Sequence, residues 1–190
     1  MNADYLSSIK KLFLYYKTLA EKSMEQLEAQ QLFETVNEES NSIAIIVKHL
    51  SGNLLSRWTD FLTTDGEKPW RNRDAEFVNG GATKEELMKM WNEGCNCFLK
   101  AIEELKPEQM LDIIYIRNEG HTVVEAINRS LTHYSYHTGQ IVFAAKMLKK
   151  GSWNSLSIPK NASKVYNNDK FSVEKNVKNF ADEELKRLKK

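Results

Sequence analysis

The sequence has few of the residues that interrupt helices or cross-link chains. Its 190 residues include only 8 glycines, 3 prolines and 2 cysteines. Because glycine and proline mark turns and loops, their scarcity predicts long uninterrupted helices. Cys95 and Cys97 are separated by a single residue, a spacing that fits neither a disulfide framework nor a C-x-x-C redox or zinc motif. We therefore expect two free cysteines on a helix, in a reducing cytoplasm.

The sequence also lacks strong charge of one sign and long apolar runs. The formal net charge is +1, so the overall charge does not indicate a nucleic-acid partner. Apolar runs such as "SIAIIV" are far too short to span a membrane, and the N-terminus lacks the apolar core and cleavage site of a signal peptide. From Lys160 onward, nine Lys or Arg stand against five Asp or Glu. We interpret this basic end as a solvated face and expect neither a nucleic-acid nor a membrane partner.

What is abundant is helical periodicity. Apolar residues recur at spacings of three and four in four segments, which is typical of amphipathic helices. The predicted helices cover residues 3–25, 41–61, 83–106 and 122–150. Four helices of this length favour an all-α fold, an up-and-down four-helix bundle. Between the last two helices, "MLDIIYIRN" is too short for a bundle helix and predicts a strand or an extended bridge.

The end of the chain is predicted to form a separate unit. We expect residues 1–165 to make the bundle domain and residues 166–190 to make a charged helical tail. Within this tail, residues 172–190 are a candidate for an extra amphipathic helix.

Two histidines define the candidate site. His133 and His137 are four residues apart in the last predicted bundle helix, so both imidazoles lie on one helical face. A zinc-protease helix would need a glutamate directly after the first histidine, but Tyr134 stands there. His49, in the middle of the second helix, supplies a third ligand if the two helices pack side by side. Three imidazoles leave a fourth position open, as in catalytic metal sites. His121 is interpreted as a residue at the start of the last helix, away from the site.

The residues around these histidines are small or polar. A row here means the residues on one helical face. The row through His49 includes Gly52 and Asn53, and the row through His133 includes Arg129 and Gln140. Such rows predict a cavity lined by hydrogen-bonding groups. We predict that Arg129 and Gln140 either support the metal ligands or contact the substrate. The alternative is that the histidine pair is incidental and belongs to an ordinary helix interior.

Longer stretches resemble a known superfamily. The segments "HYSYHTGQIV" and "DGEKPWRNRDAEF" are specific, and the similarity extends over about residues 5–165. The chain resembles an uncharacterised family within the DinB-like superfamily, which includes YfiT-like proteins described as metal-dependent hydrolases. The resemblance implies a four-helix bundle with one divalent ion, zinc or nickel. It implies His49, His133 and His137 as the ligands, because one ligand comes from the second helix and an H-x-x-x-H pair comes from the last.

Two functional hypotheses follow from these residues and this resemblance. The first is a metal-dependent enzyme for a small-molecule substrate, acting by thiol S-transfer or by hydrolysis. Relatives in the superfamily include S-transferases and an isomerase that use low-molecular-weight thiols such as bacillithiol or mycothiol. The second is a metal-stabilised, non-catalytic bundle that acts as a homodimeric sensor or scaffold.

The loop "DGEKPWRNRDAEF" has no helical periodicity, and its polar residues are not explained by packing. We predict that it folds over one end of the bundle. Arg71, Arg73 and Asp74 are expected to form internal salt bridges rather than to contact substrate.

Overall fold

The protein is mostly helical, as the periodicity predicts. The computed structural model describes residues 2–188, and within them it contains seven α-helices and one two-stranded antiparallel sheet. Two short 3-10 helices, Ala29–Phe33 and Pro107–Leu111, lie in connections. The other elements are α1 (Asn2–Met24), α2 (Ile43–Trp58), α3 (Arg73–Glu76), α4 (Lys84–Glu104), β1 (Ile113–Ile116), β2 (Glu119–Thr122), α5 (Val123–Leu148), α6 (Ser163–Phe171) and α7 (Phe180–Leu188).

Local capping explains where three of the long helices begin. The side chain of Ser42 accepts a hydrogen bond from the backbone N–H of Ile45 at the start of α2. Thr83 and Glu86 form the predicted capping box at the start of α4, and Thr122 caps α5. These contacts satisfy N–H groups that have no partner within the helix. The predicted starts are therefore confirmed to within about two residues.

The four long helices pack in a ring. Helix α1 contacts α5 and α4, and α2 contacts α4 and α5. Fully buried aromatic side chains fill the middle, where the ring of Phe13 on α1 lies 4.4 Å from that of Phe98 on α4 and 4.2 Å from that of Tyr134 on α5. Helices α1 and α2, although consecutive, are diagonal in this ring, and so are α4 and α5.

The direction of the helices differs from a simple up-and-down order. In the middle of α4, Gly94 lies against Ser51 of α2. Further along both helices, the ring of Phe98 lies 4.9 Å from that of Trp58. Helices α2 and α4 therefore run in the same direction, whereas strict alternation along the chain would make them antiparallel. The physical reason is the length of the connection between them, which brings the chain back to the level where α2 begins.

This connection carries the "DGEKPWRNRDAEF" segment along the side of α2. Ser56 donates a hydrogen bond to the carbonyl of Gly66 near the end of α2. Farther on, Asn79 meets Ser42 at the beginning of the helix. The prediction that the loop folds over one end of the bundle is therefore wrong. The predicted internal salt bridge is found for Arg71, whose Nε donates to Glu76 Oε1 at 2.8 Å.

The predicted extended segment forms a hairpin whose tip is pinned by the same connection. In the antiparallel pair β1–β2, Ile114 pairs with His121, so His121 lies on a strand and not at the helix start. Arg117 and Asn118 form the turn with positive φ angles of 55° and 63°. Their backbone N–H groups donate to the carboxylate of Asp65 at 2.9 Å and 2.8 Å. This contact fixes the hairpin beside the end of α2.

The C-terminal part is two short helices rather than one. We predicted a helix over residues 172–190, but α6 ends at Phe171 and α7 begins at Phe180, and residues 189–190 lie outside the described part of the chain. Helix α7 packs on α1, where Asp182 accepts from Lys11 at 2.8 Å. Among residues 2–188, every helix falls short of the length or the apolar character needed to cross a bilayer.

Candidate metal centre

Three histidine side chains converge between α2 and α5. The Nε2 atom of His133 lies 3.3 Å from Nε2 of His49 and 3.1 Å from Nε2 of His137. The ligand atoms of the three residues all lie within 4.8 Å of one another. Two nitrogens bound at 2.0–2.1 Å to a tetrahedral ion are roughly 3.3 Å apart. The three histidines are therefore close enough to share one metal ion.

A carboxylate behind His49 fixes the orientation of its ring. Nδ1 of His49 lies 3.0 Å from Glu76 Oε2. Because the carboxylate can only accept, Nδ1 carries the proton and Nε2 presents its lone pair to the other histidines. Arg71 in turn donates to both oxygens of Glu76. The side chains of Arg71 and Glu76 are only 2% and 9% exposed, so this support is enclosed by protein.

A glycine makes room for this carboxylate. Gly52 lies three residues after His49 on the same face of α2. A Cβ atom at this position would overlap the Glu76 side chain. Gly52, which we predicted to border a cavity, therefore lies against Glu76, the hydrogen-bond partner of His49.

Gln140 supports His137 in the same way. Nδ1 of His137 lies 2.6 Å from Oε1 of Gln140, one turn later on α5. The amide oxygen accepts the Nδ1 proton, so Nε2 of His137 is free to bind. Of the two roles predicted for Gln140, this geometry favours support of a ligand over contact with a substrate.

The environment of His133 and His137 favours their neutral forms. Burial, together with the neighbouring His137 and His49, lowers the pKa of His133 to about 4. Burial also lowers the pKa of His137, although the Gln140 contact opposes this. For Glu76, burial raises the pKa, but hydrogen bonds from His49 and Arg71 outweigh it, and the pKa lies below its usual value. Two imidazoles with lowered pKa values, beside a third that contacts a carboxylate, suit a divalent ion.

Two of the three histidines, His49 and His133, border an open cleft of about 600 Å³. Asn53 of α2 and Ala126, Arg129 and Ser130 of α5 line it, in agreement with the predicted small and polar rows. The cleft also contains residues of the α2–α4 connection and of the hairpin, Arg71, Arg73 and Arg117 among them. His49 and His133 lie in its wall, so a ligand in the cleft can approach the histidine cluster from solvent.

Two features of the site were not predicted. Glu76 was expected only to belong to the loop, and its contact with His49 depends on the path of the chain between them. The hairpin arginine, Arg117, was not considered as a site residue. Gly52 is the one sequence signal for the first feature, since a glycine inside a helix commonly marks a close approach. His121, in contrast, lies apart from the three clustered histidines, with Nδ1 3.4 Å from Glu125.

Comparison with known proteins places the chain in a family without assigning an activity. No protein of curated function matches the chain. A family model described as "Protein of unknown function (DUF1572)" matches residues 1–162, which include the four long helices and all three histidines. Since this match covers most of the sequence, the chain belongs to the DUF1572 family.

Proposed function

We propose that this protein is a divalent-metal-dependent enzyme acting on small molecules, with His49, His133 and His137 as the metal ligands. The observation that carries the proposal is the convergence of three Nε2 atoms, with His49 and His133 in the wall of an open cleft. Structural zinc sites are closed by four protein ligands, whereas three ligands and an open side are typical of catalytic sites. Zinc and nickel are the ions that we expect, because both suit imidazole donors.

The residues around the ligands have defined tasks in this proposal. A divalent ion bound by three imidazoles acts as a Lewis acid that lowers the pKa of a coordinated water or thiol. Glu76 and Gln140 hold the Nδ1 protons of His49 and His137, which keeps both Nε2 lone pairs directed at one point. Arg129 stands one turn before His133 and contacts the substrate. The cleft admits a small molecule.

We further propose that the four long helices form a bundle of the DinB-like kind. The ring of packed helices and the position of the histidines on α2 and α5 support this assignment, as does the resemblance in "HYSYHTGQIV". Residues 1–165 then constitute the metal-binding domain and residues 166–190 an appended helical tail.

Between the two reactions, we favour thiol S-transfer over hydrolysis. The zinc-protease helix carries a general-base glutamate directly after its first histidine, whereas Tyr134 stands there, fully buried and packed on Phe13. In S-transfer, the thiol sulfur forms a bond to an electrophilic carbon, the leaving group departs with the bonding pair, and the thiol proton goes to solvent. A small thiol and an electrophile are the expected substrates.

The experiment that tests the enzyme combines metal analysis with a thiol assay. Protein purified without a histidine tag is expected to contain about one equivalent of zinc or nickel, and His49→Ala and His137→Ala should lose it. The metal-loaded protein is then assayed with bacillithiol and an alkyl halide. A metal content near zero, or a thiol-dependent rate unchanged in His137→Ala, would refute the proposal.

The second candidate is a metal-stabilised homodimer without catalysis. One observation favours it, because Tyr136, Phe143 and Met147 are 64%, 64% and 59% exposed and follow one face of α5. An exposed apolar stripe on a helix is a typical contact between subunits. Light scattering should then give a dimer mass, and Phe143→Glu should give a monomer that still binds metal.

A further inference from the structure

The cleft beside the histidines is walled by cationic side chains. Five arginines line it, whereas no aspartate or glutamate among residues 2–188 does so. They are Arg57 at the end of α2, Arg71 and Arg73 in the α2–α4 connection, Arg117 at the hairpin tip and Arg129 on α5. Because guanidinium groups remain charged at any physiological pH, their partners decide the net charge of the cleft.

Three of these arginines pair with two carboxylates that do not themselves line the cleft. Arg71 pairs with Glu76 at 2.8 Å. Arg57 and Arg117 both donate to a single oxygen, Oε2 of Glu67, at 3.1 Å and 3.0 Å. These three guanidinium groups are held in place by hydrogen bonds to two carboxylates, and Asp65 also interacts electrostatically with Arg57.

The other two arginines have no carboxylate partner. Among residues 2–188, neither Arg73 nor Arg129 forms an ion pair. The guanidinium of Arg73 lies over the ring of Phe77, 4.8 Å from its centre, and that ring is 5.1 Å from the ring of His49. Arg129 precedes His133 by four residues, so both lie on the same face of α5. Both unpaired cations therefore line the same cleft, Arg73 near His49 and Arg129 near His133.

We propose that this cleft binds its substrate through an anionic group, a carboxylate or a phosphate, held by Arg73 and Arg129. The inference rests on the proposed function and specifies the substrate class of the same site. Guanidinium forks bind carboxylates and phosphates through paired hydrogen bonds. A cleft lined by one sign of charge concentrates ligands of the opposite sign. The anionic end of the substrate lies among the arginines, and its reacting end reaches the histidines.

The fixed arginines prepare the cleft for this anion. Glu67 and Glu76 position the guanidinium groups of Arg57, Arg117 and Arg71 before any ligand arrives. Asp65 holds the hairpin tip that carries Arg117. An anion that enters therefore meets an ordered cationic wall, and only Arg73 and Arg129 change partners on binding.

Calorimetric titration at pH 8 and low salt tests the proposal, with inorganic phosphate and succinate as separate probes. Each titration is run after treatment with a chelator and again after zinc loading. Arg73→Gln and Arg129→Gln are each expected to weaken binding of the preferred probe by at least about tenfold, since a charged hydrogen-bonded pair is lost. The matched control is Lys89→Gln on α4, which removes the same charge from a side chain that is 77% exposed and lies outside the cleft.

The outcomes separate this inference from the metal site. Binding of phosphate or succinate that both arginine variants weaken and Lys89→Gln leaves unchanged supports the anion site and identifies which anion it prefers. Failure of wild-type protein to bind either probe, or equal binding by the arginine variants, overturns it even if zinc still binds. If the wild-type protein binds an anion but does not bind zinc, the metal proposal alone is contradicted.

Discussion

At the scale of single residues, the site is built by positions that hold the histidines as much as by the histidines themselves. Gly52, Glu76 and Arg71 form a contact chain behind His49, and each depends on the size or charge of the next. Filling the space beside Gly52 should therefore affect metal binding more than it affects the stability of the fold.

Gly52→Ala is predicted to weaken metal binding roughly ten- to hundredfold, the usual cost of losing a partner of a metal ligand. The added methyl group displaces the Glu76 carboxylate, a flexible side chain, so that His49 loses the contact that fixes its ring. Competition with a chromophoric chelator measures the affinity. The matched control is Gly139→Ala on α5, where an added Cβ meets nothing within 4 Å; equal affinities in the two variants would contradict the role of Glu76.

The two cysteines allow a test of pKa. Burial raises the pKa of Cys95 to about 12, opposed by its contact with Tyr134, and burial also raises that of Cys97. Because only the thiolate reacts, the native protein at pH 8 should be alkylated by iodoacetamide much more slowly than a free thiol. Mass spectrometry should find both cysteines modified once the chain is unfolded. Rapid modification of Cys95 in the native state would contradict its burial.

At the scale of elements, α2 and α4 approach each other so closely that no side chain fits between them at Gly94. A Cβ atom at Gly94 would lie 2.7 Å from the Cα atom of Ser51. Unlike the neighbour of Gly52, this neighbour is backbone and cannot rotate away, so the two helices would have to separate.

Gly94→Ala is accordingly predicted to lower the free energy of unfolding by about 1–3 kcal/mol, the usual cost of overpacking. Urea denaturation followed by circular dichroism measures it. Gly139→Ala again serves as the control and should be neutral or stabilising by up to about 1 kcal/mol. A Gly94→Ala variant as stable as this control would argue against the close packing of α2 on α4.

The hairpin depends on one carboxylate. Backbone N–H groups of Asn118, Glu67 and Arg117 hold the pKa of Asp65 below its usual value. A lowered pKa in the folded state means that the contribution to stability is present at neutral pH and is lost as the pH falls below about 4. Asp65→Ala should destabilise the protein by about 1–2 kcal/mol at pH 7 and by less at pH 3. A difference that is the same at both pH values would show that Asp65 does not act through its charge.

At the scale of the whole molecule, the chain consists of the ring of four helices with two helices added at its end. The family match ends at residue 162, immediately before α6 begins. Helix α7 covers α1 with the buried side chains of Ala181 and Leu188 and with the Lys11–Asp182 pair, and α1 carries none of the three histidines.

A chain that ends at Ala162 is therefore predicted to fold and to bind metal with unchanged affinity. Its melting temperature should fall by several degrees, roughly what a loss of 1–2 kcal/mol produces in a domain of this size. Calorimetry and chelator competition measure the two quantities. Loss of metal binding on truncation would show that the tail is part of the site.

The sequence by itself determined the four long helices, most of their starting points and which three histidines are candidate ligands. Most of these features are local, because caps lie within three residues of what they cap and a spacing of four puts His133 and His137 on one face; His49 instead rests on its place in the middle of α2 and on the resemblance. The tertiary structure alone decided the direction of α4 relative to α2, the contact of Glu76 with His49 and the gathering of five arginines in one cleft. Each of these depends on where a long connection returns, and the energy that selects that path is spread over many contacts between residues distant in the chain.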